Sequence, residues 1–237
     1  AYNTRCCGKV SWNSNHPFIE HFKKLNDIVA GRAIVKYTIP SPNQLMYPVQ
    51  WDHGIYANRA EFAKDVQQTY IDAMLAFYDA GCRYLQFDDV YWGSLCNNHQ
   101  KPEFAADKAQ ALENIQVILA AKMIITTHVC RGNFRSTYLL SGAYDPIADA
   151  LFVQTAYDGY FLEYDDERSG GFEPLKYFAN NPHQGRIVLG LISSKFPQLE
   201  DKDAIKARIQ EAAQYVPLER LCLSPQCGFA STEEGNI

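Results

Sequence analysis

The sequence contains no apolar run long enough to cross a bilayer, no basic-then-apolar leader, no low-complexity tract and no close internal repeat. These absences set aside membrane-spanning, secreted and solenoid readings. It also lacks any stripe of positive charge: 22 Lys and Arg are scattered among 27 Asp and Glu, for a net charge of −5 and a pI near 5.7. That balance argues against a nucleic-acid partner and for a small molecule. Its seven cysteines fall at irregular spacing and form no disulfide framework, so a reducing cytoplasm is the expected compartment. What is present, 237 residues with 47% hydrophobic and 21% charged side chains, suits one globular domain with a sizeable core. The chain opens at Ala1 rather than at methionine, as a fragment would.

Apolar runs alternate with helical patterns, as a parallel α/β sheet requires. The expected strands are Ala33 to Ile39, Arg83 to Phe87, Met123 to Thr127, Tyr160 to Glu163, Arg186 to Leu191 and Leu221 to Leu223. Expected crossover helices run from Glu61 to Ala80, with Asn58 as cap and Gly81 as stop, from Pro102 to Ala121, and from Asp203 to Tyr215.

Four potential metal ligands stand at the ends of these runs. His128 and Cys130 are two apart, so on an extended chain they share a face; Arg131-Gly132-Asn133 then turns the backbone. Glu163 ends the run Tyr160-Phe161-Leu162, and Cys227 lies just beyond Leu221-Cys222-Leu223 in the loop Ser224-Pro225-Gln226-Cys227-Gly228. Thiolate, imidazole and carboxylate together form a borderline-soft set that suits zinc. Cys222 is near enough in sequence to compete with Cys227. His16, His21, His53, His99 and His183 have no comparable partners and are read as structural.

From Cys130 to Glu163 is 33 residues, one βα unit of roughly 30 residues, and from Glu163 to Cys227 is 64, about two. A TIM (β/α)8 barrel gathers all its strand carboxyl ends on one mouth, where ligands from several strands meet. An open doubly wound sheet is the rival, but it sets its strand ends in a row. With only six strands visible, the whole chain is read as one catalytic barrel domain supplying about the last six β/α units.

Thr127-His128-Val129-Cys130, the strand end at Glu163 and Ser224-Pro225-Gln226-Cys227-Gly228 together resemble the catalytic barrel of cobalamin-independent methionine synthase. The runs Gly81-Cys82-Arg83-Tyr84-Leu85-Gln86 and Phe161-Leu162-Glu163-Tyr164-Asp165-Asp166-Glu167-Arg168-Ser169-Gly170 are most similar to its short, single-barrel homologues. The likeness covers nearly the whole chain. It implies zinc held by His128, Cys130, Glu163 and Cys227 and binding the homocysteine thiol, and it places Asp88 of Leu85-Gln86-Phe87-Asp88-Asp89 against the substrate amino group, with Trp92 as pocket wall. Three departures accompany it. The family's first two barrel strands have no counterpart, so an upstream segment is expected to complete the ring. Lys195 stands where the long synthases have a histidine. Their amino-terminal half-barrel is absent, which leaves the methyl donor open between methyltetrahydrofolate and methylcobalamin.

The chemistry so implied is thiol activation. A free alkyl thiol with a pKa of ~8.5 is mostly protonated at neutral pH, and zinc coordination deprotonates it. Four protein ligands would close a structural site, so Glu163, the hardest of them, is expected to yield to substrate. A departing amine nitrogen needs a proton, for which Asp89, Lys195 and water are the candidates. The alternatives are a zinc hydrolase or lyase on the same barrel, which two thiolates disfavour, and a non-catalytic metal-binding homologue.

Overall fold

The computed structural model describes residues 5–46, 50–52, 54–117, 119, 122–181, 183 and 185–229. His53 and the expected helix end at Ile118, Ala120 and Ala121 lie outside the described residues. In chain order the elements are β1 (Arg5–Cys6), α1 (Pro17–Val29), β2 (Lys36–Pro40), α2 (Pro42–Met46), β3 (Gln50–Trp51), α3 (Arg59–Asp79), β4 (Tyr84–Asp88), α4 (Val90–Asn97), α5 (Phe104–Gln116), β5 (Ile124–Val129), β6 (Gly159–Glu163), β7 (Arg186–Ile192), α6 (Lys202–Ala212) and β8 (Leu221–Pro225). All six expected strands and all three expected helices are present, with shifted ends.

Two differences have clear local causes. The first expected strand starts three residues late because Ala30 and Gly31 take positive φ (50° and 73°), ending α1 and turning the chain before β2. Sequence reasoning missed α1 itself, whose side chains are mostly exposed and bury only Phe22 fully. Between β5 and β6 the crossover is a short 3-10 turn, Asp145–Ile147, followed by a π-helical turn, Asp149–Val153, rather than a regular helix.

The chain forms two compact units. The first comprises Ala1–Phe87 and Glu113–Ile125. Here α3 begins at Asn58, whose side chain accepts from the Glu61 amide, and Gly81 follows its end at φ 97°, as the sequence predicts. Its buried stripe, including Phe62, Val66, Tyr70, Met74 and Phe77, recurs at helical spacing. Tyr37 of β2 and Phe22 of α1 meet Phe77 at ring-centroid distances of 5.2 and 6.3 Å. Beneath them Gln67 Nε2 donates to Asn114 Oδ1 and Asn114 Nδ2 to Asn43 Oδ1, each at 3.0 Å, so these buried amides satisfy one another.

The second unit comprises Asp88–Leu112 and Thr126–Ile237. In it β5, β6, β7 and β8 lie side by side and parallel. The Asp89 amide donates to the His128 carbonyl at 2.8 Å, which sets the end of β4 beside β5. Register aligns the carboxyl ends: Val129 pairs with Leu162, Glu163 with Gly190, and Gly190 with Ser224. The architecture is therefore α/β with a parallel sheet. Among the described residues no strand pairs with β8 on its far side, so a closed ring is not shown, in line with the expectation that this chain supplies about six of eight strands.

Gly190 is what lets the last two strands converge. A Cβ there would stand 2.7 Å from both Gln226 Cα and the Leu162 carbonyl oxygen, backbone on either side, where β7 carries a register shift before Ile192. Replacing Gly190 by Ala is expected to lower stability by about 1–3 kcal/mol, read by urea unfolding.

Candidate metal centre

Three strand ends of the second unit supply the four predicted ligands. His128 is the penultimate residue of β5 and Cys130 the first beyond it, so they share a face as predicted. Glu163 closes β6, and Cys227 follows the end of β8 by two residues. Helix α4 backs this corner at Gly93, where any Cβ would come within 2.5 Å of the Cys130 carbonyl oxygen.

One donor atom from each of His128, Cys130, Glu163 and Cys227 lies within 4.8 Å of every other. Among the described residues these are the His, Cys, Asp and Glu side chains that gather closely enough to share an ion. The two sulfurs are 3.9 Å apart, and His128 Nε2 is 3.4 Å from Glu163 Oε1. A regular tetrahedron with Zn–S near 2.3 Å has an S–S edge of about 3.8 Å, and one with Zn–N and Zn–O near 2.05 Å has an edge of about 3.3 Å. The donor set thus fits zinc in its chemistry, and these two edges are close to those of a zinc tetrahedron. Cys222 is on β8, paired with Val188 and outside the cluster.

Glu163 is wholly enclosed, yet every part of it is satisfied. Its Oε1 accepts from the Arg131 amide at 3.0 Å and from Asn133 Nδ2 at 2.7 Å, and its Oε2 from Arg168 Nη2 at 2.7 Å. Tyr144 Oη accepts from its amide at 3.0 Å. Burial alone would raise its pKa, but the hydrogen bond and charge of His128, together with Arg168 and the Arg131 amide, outweigh it and hold the carboxyl below its usual range.

His128 presents Nε2 to Glu163 and to the Gln226 carbonyl, 3.0 Å away, and turns Nδ1 toward Asp88 Oδ1 at 3.5 Å. Burial disfavours its protonation, but the flanking Asp88 and Glu163 carboxylates overcome that and push its pKa well up. The thiols form a sharing pair. The Cys130 pKa is raised by the adjoining Cys227 sulfur and by burial, while the Cys227 pKa is lowered by the hydrogen bond from Cys130. Gly132 N at 3.4 Å and Asn133 Nδ2 at 3.7 Å point at Cys130 Sγ.

The other predicted residues scatter more. Asp88 has a side chain 41% exposed and lies beside His128. Asp89 is fully buried and caps α4, its Oδ1 accepting from the Tyr91 amide at 3.0 Å. Trp92 is also fully buried, so the structure does not bring it to the open face. Lys195 is buried and ion-paired with Asp165. Sequence reasoning missed Asn133, Gln226 and Arg168 as contributors. Asn133 sat within the predicted turn and Gln226 beside Cys227, but no periodicity marks either. A cleft of about 500 Å³ opens beside the Arg168 clamp, lined by Tyr138, Ser141, Asp166, Glu167 and Arg168.

The profile of the family described as "Cobalamin-independent synthase, Catalytic domain" matches residues 49–236. The uncharacterized protein YxjH of Bacillus subtilis (strain 168) is 46% identical over 248 residues, covering 100% of this chain and 64% of YxjH. The chain therefore spans less than two thirds of that relative's length. A crystal structure from Listeria monocytogenes, provisionally named a vitamin-B12-independent methionine synthase, superposes with a TM-score of 0.80 at 39% identity, over 98% of this chain and 68% of that one. A B12-independent methionine synthase from Shewanella sp. W3-18-1, in complex with selenomethionine, shares the fold with a TM-score of 0.70 at 16% identity, over 90% and 60% of the two chains. With the profile covering most of its length, the chain belongs to the cobalamin-independent synthase family, matching the part described as its catalytic domain.

Proposed function

We propose that the protein methylates the thiol of homocysteine or a closely related amino thiol, using zinc held by His128, Cys130, Glu163 and Cys227. The observation that carries this reading is the four-donor cluster of two sulfurs, an imidazole and a carboxylate gathered within 4.8 Å, with S–S and N–O edges of 3.9 and 3.4 Å. When bound there, the metal would supply a thiolate nucleophile at neutral pH from an alkyl thiol whose own pKa is ~8.5. The strand row is read as an arc of a (β/α)8 barrel, the arrangement in which ligands from separate strand ends converge.

The chain's own groups supply the rest. Asp88 stands partly exposed next to His128, placed to accept the ammonium group of an amino thiol while steadying His128 through Nδ1. Glu163 already has three hydrogen-bond donors, so it can yield its place to substrate without leaving a bare buried charge. Gly132 N and Asn133 keep Cys130 supplied with donors. A methylfolate-type molecule is the donor that the family description supports, since cobalamin independence removes methylcobalamin from the two donors left open by the sequence. Asp89 and Lys195 are both enclosed, which favours water as the proton source for the departing nitrogen.

Two experiments test this. Cys227→Ser should strip zinc to well below one ion per chain and abolish methionine formation from homocysteine and methyltetrahydrofolate, whereas Cys222→Ser should retain both; metal analysis and product assay read the outcome, and full zinc in the Cys227 variant would refute the ligand set. Asp88→Asn should keep zinc yet weaken homocysteine binding about 10-fold or more, while affinity for the des-amino analogue 4-mercaptobutyrate stays unchanged. Calorimetry with both thiols separates loss of the ammonium contact from damage to the site.

A further inference from the structure

The metal ligand Glu163 has neighbours that the proposed chemistry does not use. Behind it lie two further carboxylates, Asp165 and Asp166, with the ion-paired cations Arg168 and Lys195, while the buried Arg131 guanidinium is turned over the Tyr144 ring. Arg168 alone reaches all three acids, with Nη2 at 2.7 Å from Glu163 Oε2 and 3.0 Å from Asp165 Oδ1, and Nη1 paired with Asp166. The side chains of Glu163, Asp165, Arg168 and Lys195 are 0%, 1%, 2% and 4% exposed, so water does not compensate these charges. One guanidinium cannot neutralise three buried or half-buried carboxylates. Lys195 supplies the second cation, with Nζ on Asp165 Oδ2 and 3.8 Å from Asp166 Oδ2.

Lys195 comes from a different strand end, three residues past β7, and its loop is pinned on the other side. The Ser194 amide donates to Gln226 Oε1 at 2.9 Å, the Gln226 amide to the Ile192 carbonyl at 2.8 Å, and the Gln226 carbonyl faces His128 Nε2 at 3.0 Å. A ring of polar contacts therefore runs from His128 through Gln226 to the β7 loop, through Lys195 to Asp165, through Arg168 to Glu163, and back to His128.

We propose that Lys195 is a positioning residue for the metal centre: by holding Asp165 it leaves Arg168 free to fix the Glu163 carboxylate in its ligating orientation. Without the lysine, Asp165 would be a buried anion short of a partner, and it would draw Arg168 away from Glu163. The inference rests on the metal reading above and adds a residue that touches neither ion nor substrate. It follows from charge balance in an enclosed space, where an unpaired ion is too costly to persist, and from the general role of outer groups in orienting metal ligands.

The test compares wild type with Lys195→Met, Lys195→Arg and the double variant Lys195→Met/Asp165→Asn. Zinc affinity is measured by chelator competition, the ligand field by the absorption of the Co(II)-loaded protein, and the stability of the metal-free protein by thermal unfolding. Lys195→Met should lose about 10–100-fold in zinc affinity and alter the Co(II) bands. Lys195→Arg should stay within a few-fold of wild type. Removing the Asp165 charge as well should restore most of the affinity, because Arg168 then returns to Glu163. Should the Met variant not fold, Lys195→Gln takes its place with the same loss expected. Wild-type affinity and Co(II) spectrum in the folded Met or Gln variant would overturn the inference, even with a lowered melting temperature. So would a double variant no better than the single one. A wild-type protein that takes up no zinc would instead bring down the metal reading itself, and this inference with it.

Discussion

A single enclosed carboxylate governs this corner of the molecule. An anion taken wholly out of water is tolerable only if its lone pairs are met by donors or a metal, and Glu163 has no solvent contact at all. Its donors come from separate stretches of chain: the amide and side chain of the turn after β5, and the guanidinium of Arg168 five residues on. Tyr144, from the crossover between them, holds its backbone. Each of those groups must arrive at the same place for the charge to be stable there. Meeting that requirement also brings Cys130 and His128 alongside, since they immediately precede the turn that provides two of the donors.

The scaffold achieves this convergence by removing bulk at particular points. Gly93 allows α4 to sit against the Cys130 carbonyl, and Gly190 allows the Gln226 backbone to close on β7. The consequence reaches the site through one atom: the Gln226 carbonyl is a neighbour of His128 Nε2. Side chains at either glycine would push apart backbones that the donor cluster needs together. Within the first unit the amides of Gln67, Asn114 and Asn43 serve packing by another route, pairing buried polar side chains with one another.

Much of this was readable from residues alone, and the boundary has a physical basis. Strand ends announce themselves through apolar runs that stop, so His128, Cys130, Glu163 and Cys227 could be set at one level before any coordinates. The Asn58 cap and the Gly81 stop were visible because local hydrogen bonding and positive φ impose residue types. Helix α1 was overlooked although its signal was there: Pro17 opens it, and Phe18, Ile19, Phe22, Leu25 and Val29 recur at helical spacing. Asn133, Gln226 and the Arg168–Asp165–Lys195 chain were hidden for a different reason. Their roles depend on which loops meet across strands, and a loop residue's partner thirty positions away leaves no mark in the local pattern. Asp89 and Trp92 are fully buried, Asp89 as the cap of α4 and Trp92 in its first turn, and an apolar helix start beside an acidic cap does not show in sequence which way its side chains face.

The composition of the donor set also selects among reactions. Two thiolates and a carboxylate place three negative charges around a divalent ion, a net charge of about −1 on the assembly if imidazole is neutral. Such an ion is a poor Lewis acid, so it would polarise water weakly, and hydrolysis draws little from it. A soft thiol, by contrast, competes well for a soft site, and an electron-rich environment leaves its sulfur nucleophilic rather than quenched. The surroundings are consistent with that division: Arg168 is bound to Glu163, and Arg131 lies buried over the Tyr144 ring at 4.5 Å, so positive charge stands behind the carboxylate ligand. Positive charge there offsets the enclosed carboxylate, so Glu163 keeps its hydrogen-bond partners whether or not it holds an ion.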